Sequence, residues 1–151
     1  MDDEEAMGFS MGAMQERVTT PEAMQELGRV SAQHVRAGSV VALCGGLGVG
    51  KTHWTKGLVA GLGSVAEVTS PTFGLVHEYL GGTWPVLHLD FYRLETPQDL
   101  IALGWDEYLE GDGVVVAEWG DKFPELFPPD TTWLMFSIGA DGSRTVQEAV
   151  G

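Results

Sequence analysis

The 151 residues of the chain suffice for one globular domain with a single core and leave no room for a second domain. Acidic residues outnumber basic ones by 22 to 8, and the formal net charge of −14 disfavours binding to nucleic acid or to an anionic membrane through a broad basic face. A single cysteine, Cys44, excludes an intramolecular disulfide and a multi-cysteine metal site, and its position in an apolar run predicts a core residue.

The N-terminal part of the chain divides into a tail and a helix. Residues 1–16 are acidic and rich in methionine and glycine without clear periodicity, which predicts a mobile tail before one domain at 17–151. The acidic start differs from the basic start of a signal peptide, and no apolar run approaches the ~18 residues of a membrane span. A soluble, cytoplasmic protein is therefore expected. Thr20 followed by Pro21 predicts a helix that runs toward Gly38.

The most specific motif lies between a predicted strand and a predicted helix. Residues 39–44 form an apolar run typical of a buried parallel strand, and a helical pattern ends near residues 61–63. Between them, residues 45–52 fit G-x-x-x-x-G-K-[ST], in which backbone N–H groups hold a triphosphate, the lysine neutralises charge and the threonine ligates Mg²⁺. The predicted phosphate contacts are Gly46, Leu47, Gly48, Val49, Gly50, Lys51 and Thr52.

The second half of the chain adds more strands and a further helix. Residues 75–79 and 86–89 predict a β-hairpin around a Gly-Gly turn, and a helix begins after Thr96 with a near capping box. Residues 114–117 predict a buried parallel strand, and residues 133–138 and 144–147 predict an antiparallel edge. The predicted architecture is an α/β P-loop NTPase fold: a mainly parallel central sheet flanked by helices, with an antiparallel hairpin and C-terminal edge strands.

Two carboxylates follow apolar strands at their ends. Asp90 and Glu118 should lie at the carboxyl edge of the sheet, where open α/β sheets bind their ligands, and either of them could hold Mg²⁺ opposite Thr52. The alternative for each is a strand-capping carboxylate that faces water. His88 alternates with apolar neighbours, which predicts a half-buried, hydrogen-bonded residue rather than a catalytic base.

The remaining charges favour an ATPase over other P-loop enzymes. A guanine-reading motif is absent, since the only Thr-Lys pair, at 55–56, is followed by Gly-Leu. Arg93 is the only arginine between the phosphate loop and Arg144, whereas small kinases need several cations for a transferred phosphoryl group and its acceptor. Hydrolysis by water is therefore favoured. A small-molecule kinase and a nucleotide-gated binding module with incidental hydrolysis stay open as alternatives.

Four motifs in the same order resemble the TsaE family. They are the phosphate loop at 45–52, Ser-Pro-Thr-Phe at 70–73, His-Leu-Asp-Phe-Tyr-Arg-Leu at 88–94 and Glu-Trp at 118–119, and the resemblance covers roughly residues 18–150. It implies a bacterial ATPase that works in making threonylcarbamoyladenosine in tRNA. It also implies binding to the TsaD–TsaB heterodimer, which hydrolysis resets between turnovers, with tRNA contacted only indirectly. Because no arginine finger is evident beyond Arg93, turnover in isolation should be slow.

The resemblance also implies roles for single residues, with ATP and Mg²⁺ as cofactors. Lys51, Asp90 and Glu118 become the catalytic residues; Glu118 is expected to ligate the metal with Thr52, and Asp90 to orient water. Thr72 and Trp119 take switch-like positions beside the nucleotide. One departure is visible at Gly46, where the family usually has aspartate, and this puts any role of that carboxylate in doubt here.

Overall fold

A computed structural model describes residues 15–46, 48–69 and 76–149, and within these ranges the chain forms seven strands and four α-helices. The strands are β1 (Gln15–Val18), β2 (Val40–Cys44), β3 (Val76–Tyr79), β4 (Val86–Asp90), β5 (Val114–Glu118), β6 (Thr132–Ile138) and β7 (Arg144–Glu148). The helices are α1 (Pro21–Ser31), α2 (Lys51–Gly61), α3 (Pro97–Ala102) and α4 (Trp105–Glu110).

The strands form one sheet in the order β1-β7-β6-β2-β5-β4-β3. The four central strands β6, β2, β5 and β4 are parallel, whereas β3 pairs with β4 and β7 pairs with β6 in antiparallel fashion. This arrangement confirms the predicted fold class, including the hairpin and the antiparallel C-terminal strands. The sheet is therefore open. Its parallel centre contains β2, which precedes the phosphate loop, and β4 and β5, which end in the two carboxylates.

The N-terminal boundary of the domain differs from the prediction. Strand β1 pairs with β7 from Gln15 onward, so Gln15 and Glu16 belong to the sheet and not to a tail, and β1 rather than β7 forms the edge. The strand escaped the sequence analysis because, of its four residues, Val18 alone is buried. Residues 1–14, the rest of the predicted tail, lie outside the described residues.

Helices α1 and α2 pack together at very short range on one face of the sheet. A Cβ added at Gly28 would lie 1.9 Å from the backbone oxygen of Trp54, and one added at Gly57 would lie 1.8 Å from that of Gln25. Helix α1 is capped as predicted, with the Thr20 hydroxyl accepting from the Ala23 N–H at 3.0 Å. It ends at Ser31, earlier than the predicted end near Gly38.

Two apolar clusters fill the space on either side of the sheet, because alternate residues of each strand point to opposite faces. Val41 and Leu43 of β2 pack under α1 and α2, in a cluster that includes Trp54 and Leu58. Val40 lies in the cluster on the other face, with α3, α4 and their aromatic neighbours. The layers leave the carboxyl ends of β2, β4 and β5 beside the N-terminus of α2, where the phosphate loop lies.

Candidate active site

Helix α2 begins without the groups that normally satisfy a helix N-terminus. Its N-cap is Gly50, which has a left-handed φ of 102° and supplies no side-chain hydrogen bond, and its first turn holds no acidic residue. The other three α-helices of the described ranges each carry an acidic residue in the first turn. The first N–H groups of α2 are thus left for an anion from outside the helix, and the helix dipole favours one there.

The loop before α2 depends on glycines in two ways. Gly45 has a φ of 138°, and a Cβ there would lie 2.5 Å from the backbone oxygen of Phe136, so only glycine fits against β6. Gly48 also has a left-handed φ, of 75°, but the space beside it is open. An added Cβ at Gly46 would likewise meet nothing within 4 Å, so packing does not exclude the aspartate expected at this position. Leu47 lies outside the described residues.

Lys51, the first residue of α2, is a buried cation with 5% of its surface exposed. Its ammonium donates to the backbone oxygen of Gly45 at 2.7 Å and lies 4.3 Å from the ring centroid of Trp119. Burial lowers the pKa of Lys51, and the charges of Glu118 and Asp90 act in the opposite direction. The side chain is therefore held beside the α2 N-terminus by a carbonyl, an aromatic face and two nearby carboxylates.

Asp90 and Glu118 are direct register partners on the parallel strands β4 and β5. The residue two positions earlier in each strand points to the α2 face of the sheet, so both carboxylates point to that face as well. Both line the same cavity as Lys51. Burial raises the pKa of Asp90, and the Glu118 charge adds to this, while the Tyr92 N–H, which donates to Asp90 at 2.8 Å, opposes it. The adjacent strand ends thus deliver both predicted acids to one place.

His88 is wholly buried, so the prediction of a half-buried residue was wrong in degree. Its Nε2 lies 2.7 Å from Oε2 of Glu118, and its Nδ1 lies 3.0 Å from the Tyr79 hydroxyl. The prediction failed because β4 is an inner strand of the sheet, whose pairing with β3 and β5 cannot be derived from alternation alone. The hydrogen-bonded character was predicted correctly.

Trp119 follows Glu118 in an unusual backbone conformation. Its φ of 61° is the one positive value found at a non-glycine residue in the described part of the chain. The Trp119 N–H donates to the Leu43 oxygen at 2.9 Å, and its ring lies against Tyr92 with centroids 4.9 Å apart. The strained turn thereby places the indole over the Lys51 ammonium. Thr72, the other switch-like residue, lies outside the described residues.

A cavity of about 380 Å³ brings the predicted residues together. Lys51, Thr52, Asp90, Glu118 and Trp119 all line it, as do Gly48 and Gly50. A second group of lining residues was not predicted: Val18, Thr19, Thr20, Pro21, Met24, His53 and Arg144.

Arg144 is the most informative of the residues that the sequence analysis missed. Its guanidinium donates to the backbone oxygens of Gly48 at 3.0 Å and Gly142 at 2.8 Å, so it lies directly beside the phosphate loop. Arg144 is separated from Gly48 by 96 positions, and only the pairing of β7 with β6 and β1 brings it there. No local pattern in the sequence marks it.

The donor set of the cavity suits Mg²⁺ and a nucleotide. The Thr52 hydroxyl and the two carboxylates are oxygen donors, and Mg²⁺ is usually held by one or two carboxylates together with substrate phosphates. Within the described ranges, no three His, Cys, Asp or Glu side chains form a metal cage of their own. The uncapped α2 N-terminus and Lys51 supply the positive side of the cavity, which fits a phosphate chain.

Cys44 has a structural role at the end of β2. It is buried, as predicted, and burial raises the pKa of its thiol to about 11.

Among the helices of the described residues, none is both long and apolar enough to cross a bilayer.

The fold and this cavity define a P-loop nucleoside-triphosphatase architecture. The family model described as "Threonylcarbamoyl adenosine biosynthesis protein TsaE" matches residues 18–146. The chain belongs to the TsaE family, which confirms the resemblance inferred from the four motifs. The family acts in the biosynthesis of threonylcarbamoyladenosine in tRNA.

Individual relatives agree with this assignment. The chain is 36% identical to the TsaE protein of Bacillus subtilis (strain 168) over 130 residues, which cover 86% of the chain and 81% of the relative. It is 49% identical to TsaE of Streptomyces coelicolor over 107 residues, covering 68% and 72% respectively. The crystal structure of Bacillus subtilis YdiB superposes with a TM-score of 0.74 at 32% identity, covering 91% of this chain and 86% of that one.

Proposed function

We propose that the protein binds ATP with Mg²⁺ and hydrolyses it in support of threonylcarbamoyladenosine synthesis on tRNA. The observation that carries this proposal is the convergence of Lys51, Thr52, Asp90 and Glu118 on one cavity at the uncapped N-terminus of α2. A triphosphate needs this combination of backbone donors, one lysine and a metal held by hydroxyl and carboxylate oxygens.

The cavity supports a particular orientation of the nucleotide. The phosphates belong at the glycine-rich loop, where Gly46 and Gly48 leave open space. The base belongs against the apolar part of the cavity wall, which Val18, Pro21 and Met24 supply. A volume of about 380 Å³ is within the usual range for small-ligand pockets. Arg144, whose guanidinium donates to the Gly48 oxygen, adds a second cation beside the loop.

The chemistry assigned to the chain is positioning and charge stabilisation. Lys51 and the α2 N–H groups bind the phosphate oxygens and stabilise the charge that develops on them. Bound Mg²⁺ would supply further positive charge there, with Thr52 and Glu118 as its protein ligands. Asp90, whose pKa is raised by burial, accepts a hydrogen bond from the attacking water and orients it.

The proposed partner is the TsaD–TsaB heterodimer, with tRNA contacted only indirectly and a cytoplasmic location. The family shares its pathway with the other Tsa proteins, and the net charge of −14 argues against a direct grip on tRNA. Because the cavity holds few cations, turnover by the isolated chain should be slow. Contact with the partner should raise it by ordering the residues around the phosphates.

Phosphate release tests this proposal directly. Release should require Mg²⁺ and rise on addition of TsaD–TsaB, and Lys51→Ala should abolish both release and nucleotide binding. Glu118→Ala should retain ATP binding while release falls by about 100-fold or more. Equal rates with and without TsaD–TsaB would contradict the partner, and unchanged nucleotide affinity in Lys51→Ala would contradict the site.

The same experiment separates the alternative functions. A small-molecule kinase forms no ADP without an acceptor, so ADP formation from ATP and water alone would exclude it. A nucleotide-gated binding module should keep ATP-dependent binding of TsaD–TsaB in Glu118→Ala and lose it in Lys51→Ala.

A further inference from the structure

A line of polar side chains crosses three strands on the α2 face of the sheet. Tyr79 of β3, His88 of β4 and Glu118 of β5 all point to this face, since Val86 and Val116, two residues before His88 and Glu118, pack in the α1–α2 cluster with Tyr79. His88 is the register partner of Val116, so its contact with Glu118 is diagonal. The strand register therefore builds this line of side chains.

The contacts along the line are continuous. His88 Nε2 lies 2.7 Å from Glu118 Oε2, and His88 Nδ1 lies 3.0 Å from the Tyr79 hydroxyl. The Tyr79 hydroxyl donates to the Thr69 backbone oxygen at 2.9 Å and accepts from the Thr69 N–H at 3.3 Å. All three side chains are buried, with 0% of His88 and 4% each of Tyr79 and Glu118 exposed.

The line begins at the nucleotide cavity and ends at a motif boundary. Glu118 lines the cavity, whereas His88 and Tyr79 do not. Thr69 is the residue immediately before the Ser-Pro-Thr-Phe motif. With both ring nitrogens engaged, the His88 imidazole has one orientation, and this in turn fixes the Oε2 end of the Glu118 carboxylate.

We propose that His88 and Tyr79 are positioning residues that orient the Glu118 carboxylate for the metal and nucleotide and tie it to the backbone at Thr69. This inference rests on the proposed ATP site. Oε2 is held by His88, which assigns Oε1 to the cavity. Neither residue lines the cavity, so both act through Glu118.

A purely structural role makes a different prediction. Replacing a buried polar pair by apolar groups is often neutral for stability, and a ring that only fills space is well replaced by another ring. Replacing only one partner leaves the other buried and unpaired, so each variant should lose some stability under either role. The positioning role predicts in addition that the folded variant loses its response to Mg²⁺.

Three variants separate these roles. Tyr79→Phe removes the hydroxyl alone, His88→Leu removes both nitrogens, and His88→Gln keeps one N–H that reaches Glu118. Tyr108→Phe is the matched control, because it makes the same change in the cluster on the opposite face of the sheet. Each variant is measured for phosphate release with TsaD–TsaB and for ADP affinity with and without Mg²⁺ by calorimetry.

In His88→Leu, kcat should fall by about tenfold or more, in line with loss of a hydrogen bond to a charged group, while ADP affinity without Mg²⁺ changes less than about twofold. The gain in ADP affinity that Mg²⁺ causes should decrease together with kcat. Tyr79→Phe should show the same split more weakly, His88→Gln should recover most of the loss, and Tyr108→Phe should match the wild type.

The readouts keep this proposal distinct from the ATPase proposal. A wild-type protein that releases no phosphate contradicts the proposed activity, but its Mg²⁺-dependent gain in ADP affinity still tests the positioning role. An equal or absent gain in wild type, Tyr79→Phe and His88→Leu would overturn that role. If His88→Leu fails to fold, the comparison of Tyr79→Phe with Tyr108→Phe decides.

Discussion

At the scale of single residues, the site holds charges under conditions that cost stability. Lys51 and Asp90 are both partly withdrawn from water, and the pKa of each is shifted toward its neutral form by burial. Under the proposed function, the same placement serves a phosphate chain at Lys51 and a water molecule at Asp90. One substitution of either side chain can therefore measure both the stability that its burial costs and the activity that it supports.

Asp90→Asn should stabilise the protein while it impairs catalysis. The pKa of Asp90 lies above its ordinary value of 3.8 in the folded state, so protonation favours folding. The destabilisation caused by the buried Asp90 charge is absent at a pH below the ordinary pKa and complete at a pH above the pKa of the folded state. The variant should thus unfold at higher urea concentration than the wild type at neutral pH, and this advantage should vanish as the pH falls. Phosphate release should drop by about 100-fold. A variant less stable at neutral pH would contradict the assignment.

Arg144→Gln should weaken nucleotide binding without unfolding the protein. The guanidinium donates to the backbone oxygens of Gly48 and Gly142, and the side chain lines the cavity. Loss of one partly exposed cation beside a phosphate chain should lower ADP affinity by about threefold to tenfold, more strongly at low salt. Arg36→Ala, which removes the same charge outside the cavity, is the control. Equal ADP affinity in both variants would contradict a role of Arg144 in nucleotide binding.

At the scale of elements, the contact of α1 with α2 depends on the absence of side chains. Alanine in an exposed helix is usually better than glycine by about 1 kcal/mol. At Gly28 and Gly57, however, a Cβ would meet backbone oxygen of the other helix at less than 2 Å. The helices would have to separate, and α1 carries Met24 into the nucleotide cavity.

Gly28→Ala and Gly57→Ala should each destabilise the fold by about 1 to 3 kcal/mol, as overpacked contacts do. Gly111→Ala is the matched control, since its nearest neighbour would lie 3.6 Å away and its φ is −82°. Urea unfolding followed by circular dichroism measures all three. Stability equal to that of the control would show that the helices move apart without cost.

The elements that the sequence predicted well have local causes. Strand β2, the glycine loop and α2 are contiguous, and the start of α3 is marked by a capping box between Thr96 and Asp99 that the structure contains. Strand β1 was missed because its pairing with β7 is long-range and leaves one residue buried. The helical pattern after Pro97 also gave no sign of its division at Gly104, whose φ is 101°.

At the scale of the whole molecule, the candidate site combines residues of local sequence motifs with residues that only the fold brings together. Lys51 and Thr52 follow from one motif, and Asp90 and Glu118 follow from the rule that strand ends meet at one edge. The contact of His88 with Glu118 spans 30 positions and that of Arg144 with Gly48 spans 96. Such pairs depend on strand order and register, which one sequence does not define.

The net charge of −14 predicts opposite responses of folding and association to salt. Repulsion between acidic residues opposes the compact state, because 22 acidic residues stand against 8 basic ones, which include those of the exposed pairs Arg17–Asp141 and Arg29–Glu26. Added NaCl should therefore screen more repulsion than attraction, and the melting temperature should rise toward physiological ionic strength.

Association with the proposed partner, TsaD–TsaB, should instead weaken over the same range of salt, because the acidic surface of this chain is best matched by a basic one. Calorimetric melting of the isolated chain and the association rate of the ATP-loaded chain, measured at matched NaCl concentrations, test the two responses together. A melting temperature that falls with salt would mean that attractive pairs dominate the surface. An association rate independent of salt would mean that the partner is recognised through apolar contacts and that the acidic surface does not guide the encounter.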